Sequence, residues 1–272
     1  AKPFNWDSAL HDMLGISSDS GRSHADEQHG NQVVLSIKDL QVFNEGKNFS
    51  LDIRSGEVTG VIGLLGAGKS ELARTIFGVD KVKSGSITFH GENFKPKSPI
   101  DAIRKGIFMI SEDRARDGIL ENWSISNTTS LPFLKRISSS RLLNFGAETD
   151  LAKTMIDRLN VVAQSHRSTV DSLSGGNQQK VMVGRWLMQD SKLLLLDEPF
   201  RGVDIGARRE ISSQISNLVR AGNAAVIFSS DIDEILESSD RVVVMVDGEI
   251  KFDAYLSKTS RDEIIKKMSE VA

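Results

Sequence analysis

The segment GLLGAGKS, residues 63–70, restricts the possible folds more than any other part of this chain. It matches the pattern G-x-x-x-x-G-K-[ST], in which glycines allow successive backbone N–H groups to surround a phosphate. The apolar segment VTGVIG precedes it and the helical pattern KSELARTIFG follows it. Because such a loop must join a strand to the N-terminus of a helix, this placement favours phosphate binding over a glycine-rich turn that binds nothing.

The loop would enclose the phosphates of a nucleotide. In this pattern Lys69 reaches the β- and γ-phosphates and Ser70 offers its hydroxyl to Mg²⁺. The positions expected to contact the nucleotide are Gly63, Leu64, Leu65, Gly66, Ala67, Gly68, Lys69, Ser70 and Glu71.

The segment LLLLDEP, residues 193–199, supplies the acidic groups that such a loop requires. Its apolar run predicts a buried parallel strand, and open α/β sheets bind ligands at the carboxyl ends of strands. Asp197 is expected to hold Mg²⁺, and Glu198 is expected to polarise the attacking water. Phosphoryl transfer depends mainly on positioning and charge neutralisation. The alternative, a core strand that ends in solvated acids, loses weight because the phosphate loop is present.

A second candidate anion site lies in LSGGNQQKV, residues 173–181. Ser174, Gly175 and Gly176 precede a predicted helix, whose N-terminus attracts anions. One nucleotide does not need two such sites from one chain. We therefore expect this site to close over a nucleotide held by another copy or half, the alternative being an ordinary capped surface helix.

Elsewhere the sequence alternates predicted strands with predicted helices, which favours a mostly parallel sheet with helices on both faces. A mostly helical stretch, from about residue 120 to about residue 172, interrupts the alternation. The net charge of −3 gives no electrostatic case for nucleic acid or anionic lipid. The chain lacks cysteine, which excludes disulfides and thiolate metal sites. No apolar run approaches the roughly 18–20 residues of a membrane span.

Taken in order, GLLGAGKS, LSGGNQQKV and LLLLDEPFRGVD resemble the nucleotide-binding domain of ABC ATPases. The segments SEDRARDG, LSGGNQQKV and RGVDIGARREI are more narrowly similar to the second of two fused ATPase halves in bacterial carbohydrate importers. The resemblance implies an α/β fold of the P-loop NTPase (RecA-like) type: a mostly parallel sheet core, an N-terminal antiparallel β subdomain and a helical subdomain insertion at about 113–175.

The resemblance also assigns roles to single positions. Asp204 in RGVDIG matches the D-loop aspartate, which communicates across the dimer, and Phe43 lies near the place of an aromatic that stacks on adenine. Glu112 in ISEDR stands where a glutamine is common, and is expected to approach Mg²⁺. Ser230 in FSSD stands where most members have a histidine that contacts the γ-phosphate.

These two exchanges suggest an asymmetric function. A serine cannot carry the positive charge of a histidine, and Glu112 adds negative charge beside the γ-phosphate. We expect the site to bind Mg-ATP well and to hydrolyse it poorly, while LSGGNQ completes the other half's site. The alternative is that Ser230 with an ordered water suffices, so that both sites turn over.

The resemblance divides the chain into the tail of a preceding domain (1–16), a linker (17–32) and an ABC ATPase domain (33–272). It implies ATP and Mg²⁺ as cofactors. The implied partners are the first ATPase half, membrane permease subunits and, indirectly, a solute-binding protein, at the cytoplasmic face of the membrane and without nucleic acid. The competing hypotheses are a soluble ABC ATPase of translation or DNA repair and a nucleotide-binding module that does not hydrolyse.

Overall fold

The computed structural model describes residues 32–43, 46–139 and 142–270. The predicted tail and nearly all of the predicted linker lie outside the described residues. The strands are β1 (Val33–Leu40), β2 (Phe49–Arg54), β3 (Val58–Ile62), β4 (Ser86–Phe89), β5 (Glu92–Asn93), β6 (Ile107–Ile110), β7 (Ser138–Ser139), β8 (Leu142–Leu143), β9 (Leu193–Asp197), β10 (Ala224–Ser229), β11 (Arg241–Val246) and β12 (Glu249–Tyr255). The α-helices are α1 (Lys69–Phe77), α2 (Pro99–Lys105), α3 (Arg114–Asp117), α4 (Ile125–Ser130), α5 (Phe145–Arg158), α6 (Gly175–Leu187), α7 (Ile205–Arg220), α8 (Ile232–Ser238) and α9 (Arg261–Met268).

The main sheet has the strand order β12-β11-β3-β10-β9-β6. Its strands pair in parallel except for β12, which forms an antiparallel hairpin with β11. Every residue of β3, β6, β9 and β10 is buried, as apolar strands covered on both faces must be. This confirms the predicted mostly parallel α/β core.

A second sheet, in the order β2-β1-β4-β5, is entirely antiparallel. In β2, the buried positions Phe49, Leu51 and Ile53 alternate with more exposed ones, which is the pattern of a strand with one covered face. These side chains join the buried cluster that also holds Leu72 and Ile76 of α1. The expected N-terminal antiparallel subdomain is therefore present.

The segment between β6 and β9 carries α3 to α6 and also a short hairpin, β7–β8, which the mostly helical pattern did not predict. Three rings attach it to the sheet. Phe108 of β6 stacks on Trp186 of α6 (centroids 4.8 Å apart), and Phe133 meets both edge-on. In the described part of the chain, no helix is long and apolar enough to cross a membrane.

Candidate functional site

The phosphate loop joins the carboxyl end of β3 to α1. Gly66 (φ +84°) and Gly68 (φ +101°) have left-handed backbones, which glycine adopts without the penalty of a Cβ. Gly63 must also be glycine, because a Cβ there would lie 2.3 Å from the Met245 carbonyl oxygen, whereas no atom lies within 4 Å of a Cβ built on Gly66. The loop is thus packed on one side and open on the other, as a phosphate cradle requires.

A distant turn supports the loop. The N–H of Gly248, in the turn between β11 and β12, donates to the Ala67 carbonyl (2.9 Å). A Cβ on Gly248 would lie 2.7 Å from Phe43 Cδ2 and 3.1 Å from the Val42 side chain. Phe43 is half-buried and is therefore separated from the loop by this one glycine. The adenine-stacking role of Phe43 stays a prediction.

Lys69 points back along its own loop. Its Nζ donates to the carbonyl oxygens of Gly63 (2.7 Å) and Leu64 (3.2 Å). Burial lowers the pKa of Lys69, and the nearby Glu198 and Asp197 carboxylates oppose that effect. A compact ammonium group thus lies at the loop, in position to contact a bound phosphate.

The amides of the first turn complete the donor set. Leu72 N makes the first helical hydrogen bond, to Gly68 O (3.0 Å). The N–H groups of Lys69, Ser70 and Glu71 therefore belong to the turn that has no intrahelical acceptor. They face the same end of α1 as the open loop, where the helix dipole favours an anion.

Ser70 and Asp197 meet beside the loop. The Ser70 Oγ donates to Asp197 Oδ1 (3.1 Å). Burial raises the pKa of Asp197 to about 6, although the hydrogen bond from Ser70 opposes the rise. Within the described ranges no group of three or more His, Cys, Asp or Glu side chains could hold a metal ion by itself. One hydroxyl and one carboxylate fit Mg²⁺, which takes few protein oxygens and completes its shell with phosphate and water.

Glu198 is held in a strained conformation. Its φ is +44°, which costs a non-glycine residue about 1–3 kcal/mol and occurs at functional sites. Its N–H donates to the Phe228 carbonyl (2.9 Å). Its two carboxylate oxygens accept from the Ser230 N–H (2.9 Å) and the Ser229 hydroxyl (3.3 Å). The end of β10 therefore fixes the direction of this carboxylate.

The FSSD segment thus acts on Glu198 in a way that the sequence did not predict. Ser230 contacts the carboxylate through its backbone N–H, and Ser230 itself is exposed. The Ser229 hydroxyl lies closer to Glu234 (2.7 Å), so its single proton is shared between the two acids. A polar residue at the end of a buried strand, next to a predicted site residue, is the signal that could have identified Ser229.

Glu112 lies in the same region and has a partner. Its carboxylate forms an ion pair with Arg201, which follows β9 in the chain. Both residues line a cavity of about 630 Å³ together with Ser70 and Asp197. The motif comparison assigned no role to Arg201.

The second candidate anion site lies at the start of α6, where a Cβ on Gly175 would lie 3.0 Å from Arg114 Nη2 and 3.2 Å from the Gly202 carbonyl oxygen. Ser174 is the N-cap of α6 and its Oγ accepts from the Asn177 side chain (2.9 Å). A Cβ on Gly176 would lie 2.9 Å from Asp204 Oδ2, and Asp204 Oδ1 caps α7 through Ala207 N (2.9 Å). Among the described residues, none of Ser174, Gly175 or Gly176 lines the cavity that contains Ser70.

A family model described as "ABC transporter" matches residues 46–201. A ribose import ATP-binding protein of Bacillus cereus is 38% identical over 90% of this chain and 49% of its own length. An arabinose import ATP-binding protein of Pectobacterium atrosepticum is 38% identical over 90% and 48%. A ribose import ATP-binding protein of Lactococcus lactis subsp. cremoris is 43% identical over 80% and 44%. The chain therefore spans about half the length of the curated relatives it matches.

Solved structures agree on the fold. A nucleotide-free ATP-binding cassette from an ABC transporter superposes with a TM-score of 0.70 at 22% identity, covering 88% of this chain and 96% of that one. The ADP conformation of another cassette gives 0.71, also at 22% identity, with the same coverage.

Proposed function

The chain belongs to the ABC transporter family, and we propose that it is an ATP-binding half of an importer that couples ATP binding and hydrolysis to uptake of a sugar or sugar-like solute. One observation carries the proposal. The phosphate loop, the Ser70–Asp197 pair and the anchored Glu198 lie together at the carboxyl ends of β3, β9 and β10. The names of the relatives, which import ribose or arabinose, support the solute class.

Each group has a defined task toward bound ATP. The loop amides and Lys69 hold the β- and γ-phosphates. Ser70 and Asp197 would hold Mg²⁺, which supplies charge neutralisation between the phosphates. Glu198 accepts a hydrogen bond from the attacking water and orients it, because its carboxylate is itself fixed from β10.

We propose that this site binds ATP well and hydrolyses it poorly. The exposed Ser230 brings no positive charge to the γ-phosphate, so the transition state lacks a cation that most family members supply. In turn, Ser174, Gly175 and Gly176 would complete the nucleotide site of a second half.

The second half would be the first ATPase half of the same polypeptide. The relatives are about twice as long as this chain, and none of Ser174, Gly175 and Gly176 lines the cavity that contains Ser70. Leu64 and Leu65, at the crest of the loop, are 62% and 94% exposed. Such exposure of paired leucines favours a covering partner surface. This chain would occupy the second position, with residues 1–32 as the tail and linker.

The permease would bind beside the helical insertion. A cavity of about 470 Å³ there is lined mainly by apolar side chains, including Phe77, Ile103, Met182 and Trp186. Arg185 also lines it, and its Nε has no hydrogen-bond partner within the described residues. A coupling segment of a membrane subunit, apolar with one acidic or carbonyl group, fits this chemistry. The chain would then lie peripherally at the cytoplasmic face of the membrane and reach a solute-binding protein only through the permease.

Steady-state Mg-ATP hydrolysis should be measured over a wide range of protein concentration, beside equilibrium ATP binding. We expect micromolar binding with slow turnover, and loss of the remaining turnover in Glu198→Gln but not in the exposed control Glu121→Gln. ATP binding without turnover, even in the assembled transporter, would favour the alternative of a non-hydrolysing nucleotide module. Absence of ATP binding would refute the proposed function. If Glu198→Gln abolished nearly all turnover of the assembled transporter, the proposal that this site hydrolyses ATP poorly would be wrong.

A further inference from the structure

The pair formed by Glu112 and Arg201 joins two loops at the catalytic edge of the sheet. Glu112 follows β6 and Arg201 follows β9, and these strands are neighbours. The guanidinium of Arg201 contacts the Glu112 carboxylate, and both line the cavity that contains Ser70 and Asp197. Glu112 is thereby paired beside Ser70 and Asp197, the two groups that would hold Mg²⁺ at the terminal phosphate of the proposed substrate.

Four carboxylates lie near the Lys69 ammonium of the loop. The carboxylates whose charge acts on the Lys69 ammonium are Glu198, Asp197, Glu112 and Glu71. A nucleoside triphosphate adds further negative charge at the same place. Because like charges repel more strongly the closer they lie, an unpaired Glu112 would oppose the terminal phosphate more than the two inner ones.

Of the three other arginines that line this cavity, two are paired with carboxylates and the third is held by a carbonyl. Arg74 is bound by Asp80 and Glu71, and Arg116 is bound by Asp117. Arg114 uses its guanidinium to donate to the Arg201 carbonyl (3.0 Å).

That last bond also fixes the backbone of Arg201. The Arg201 N–H donates to the Glu198 carbonyl (3.3 Å), so the backbone is tied on both sides. The backbone position of Arg201 is therefore fixed by its bonds to Glu198 and Arg114, although its guanidinium is largely exposed.

Resting on the proposed function, we propose that Arg201 is a positioning residue that cancels the charge of Glu112 beside the terminal phosphate, so that the site accepts a triphosphate in preference to a diphosphate. In relatives with a neutral glutamine at that position no such cation would be required.

The test is equilibrium binding of ATP and of ADP to the full 272-residue chain, by displacement of a fluorescent nucleotide, in chelator and in Mg²⁺. In Arg201→Gln we expect ATP affinity in chelator to fall about tenfold and ADP affinity to change less than about twofold, as one unpaired charge near the γ-phosphate requires. In Mg²⁺ the loss should be smaller, because the freed Glu112 carboxylate then faces a cation.

Three further variants separate charge from shape. Arg201→Lys keeps the charge, so its ratio of ATP affinity to ADP affinity should stay near that of the parent chain. The double variant Glu112→Gln/Arg201→Gln should regain ATP affinity. Arg209→Gln removes an equal charge from an exposed site on α7 and should change the affinity for neither nucleotide. Equal losses of ATP affinity and ADP affinity in Arg201→Gln, or no recovery in the double variant, would overturn this inference but leave the proposed function standing. Failure of the unmodified chain to bind either nucleotide would overturn the proposed function together with it.

Discussion

Replacing Asp197 by asparagine should remove a pH dependence from the stability of the nucleotide-free chain. The Asp197 side chain is 3% exposed, and its burial raises the pKa from its ordinary value of 3.8 to about 6. Between these values the folded chain binds more protons than the unfolded chain, so the free energy of unfolding falls as pH rises. A rise of about two pKa units, at about 1.4 kcal/mol per unit, corresponds to about 3 kcal/mol.

The measurement is urea unfolding in chelator, followed by tryptophan fluorescence, at intervals from about pH 4.5 to about pH 7.5. Other groups titrate alike in both proteins and cancel in the difference. The stability of Asp197→Asn relative to the parent should therefore increase with pH, by about 2–3 kcal/mol over this range. For Asp157→Asn, an exposed change on α5, the difference in stability from the parent should not vary with pH. A flat or falling difference for Asp197→Asn would refute the reasoning, since the carboxylate would then be ionised throughout.

Three more substitutions test the packing and the site. Arg241→Met strands the fully buried Glu57, its ion-pair partner at 3.1 Å, and should lower the free energy of unfolding by about 3–5 kcal/mol, with partial recovery in Glu57→Gln/Arg241→Met. Gly184→Ala places a Cβ 2.6 Å from Met155 Cγ and should cost about 1–3 kcal/mol in urea unfolding; an unchanged midpoint would contradict the close packing. Ser229→Ala removes a bond to the proposed water-orienting carboxylate and should lower kcat about tenfold with ATP affinity unchanged, whereas an equal loss of affinity would argue for a binding role.

Local sequence carried most of the information on the site, because a phosphate loop is built from eight consecutive residues. The loop and the acidic end of β9 lie where the motifs predicted. Contacts between distant segments were not predictable in this way. The support of Ala67 by Gly248, the bond from Ser229 to Glu198, and the Arg201 ion pair all join loops that become neighbours only once the strand order is known.

In the helical insertion, local sequence likewise predicted the helices but not the short hairpin. The stretch from about residue 120 to about residue 172 was predicted to be mostly helical, and within it α5 covers Phe145–Arg158. The β7–β8 hairpin has two residues in each strand. Strands of that length show no periodicity, so their pairing depends on the surrounding packing.

The support of the phosphate loop by the β11–β12 turn has a consequence for biosynthesis. β3 pairs with β10 and β11, and a hydrogen bond from Val58 to Asp240 spans 182 residues. At about 5–20 residues per second, the ribosome needs roughly 10–40 s to add that length of chain. A nascent chain halted before residue 241 contains all of GLLGAGKS but not the strand and turn that shape it. Nucleotide capture is therefore postponed until the chain has been synthesised through the β11–β12 turn at Gly248.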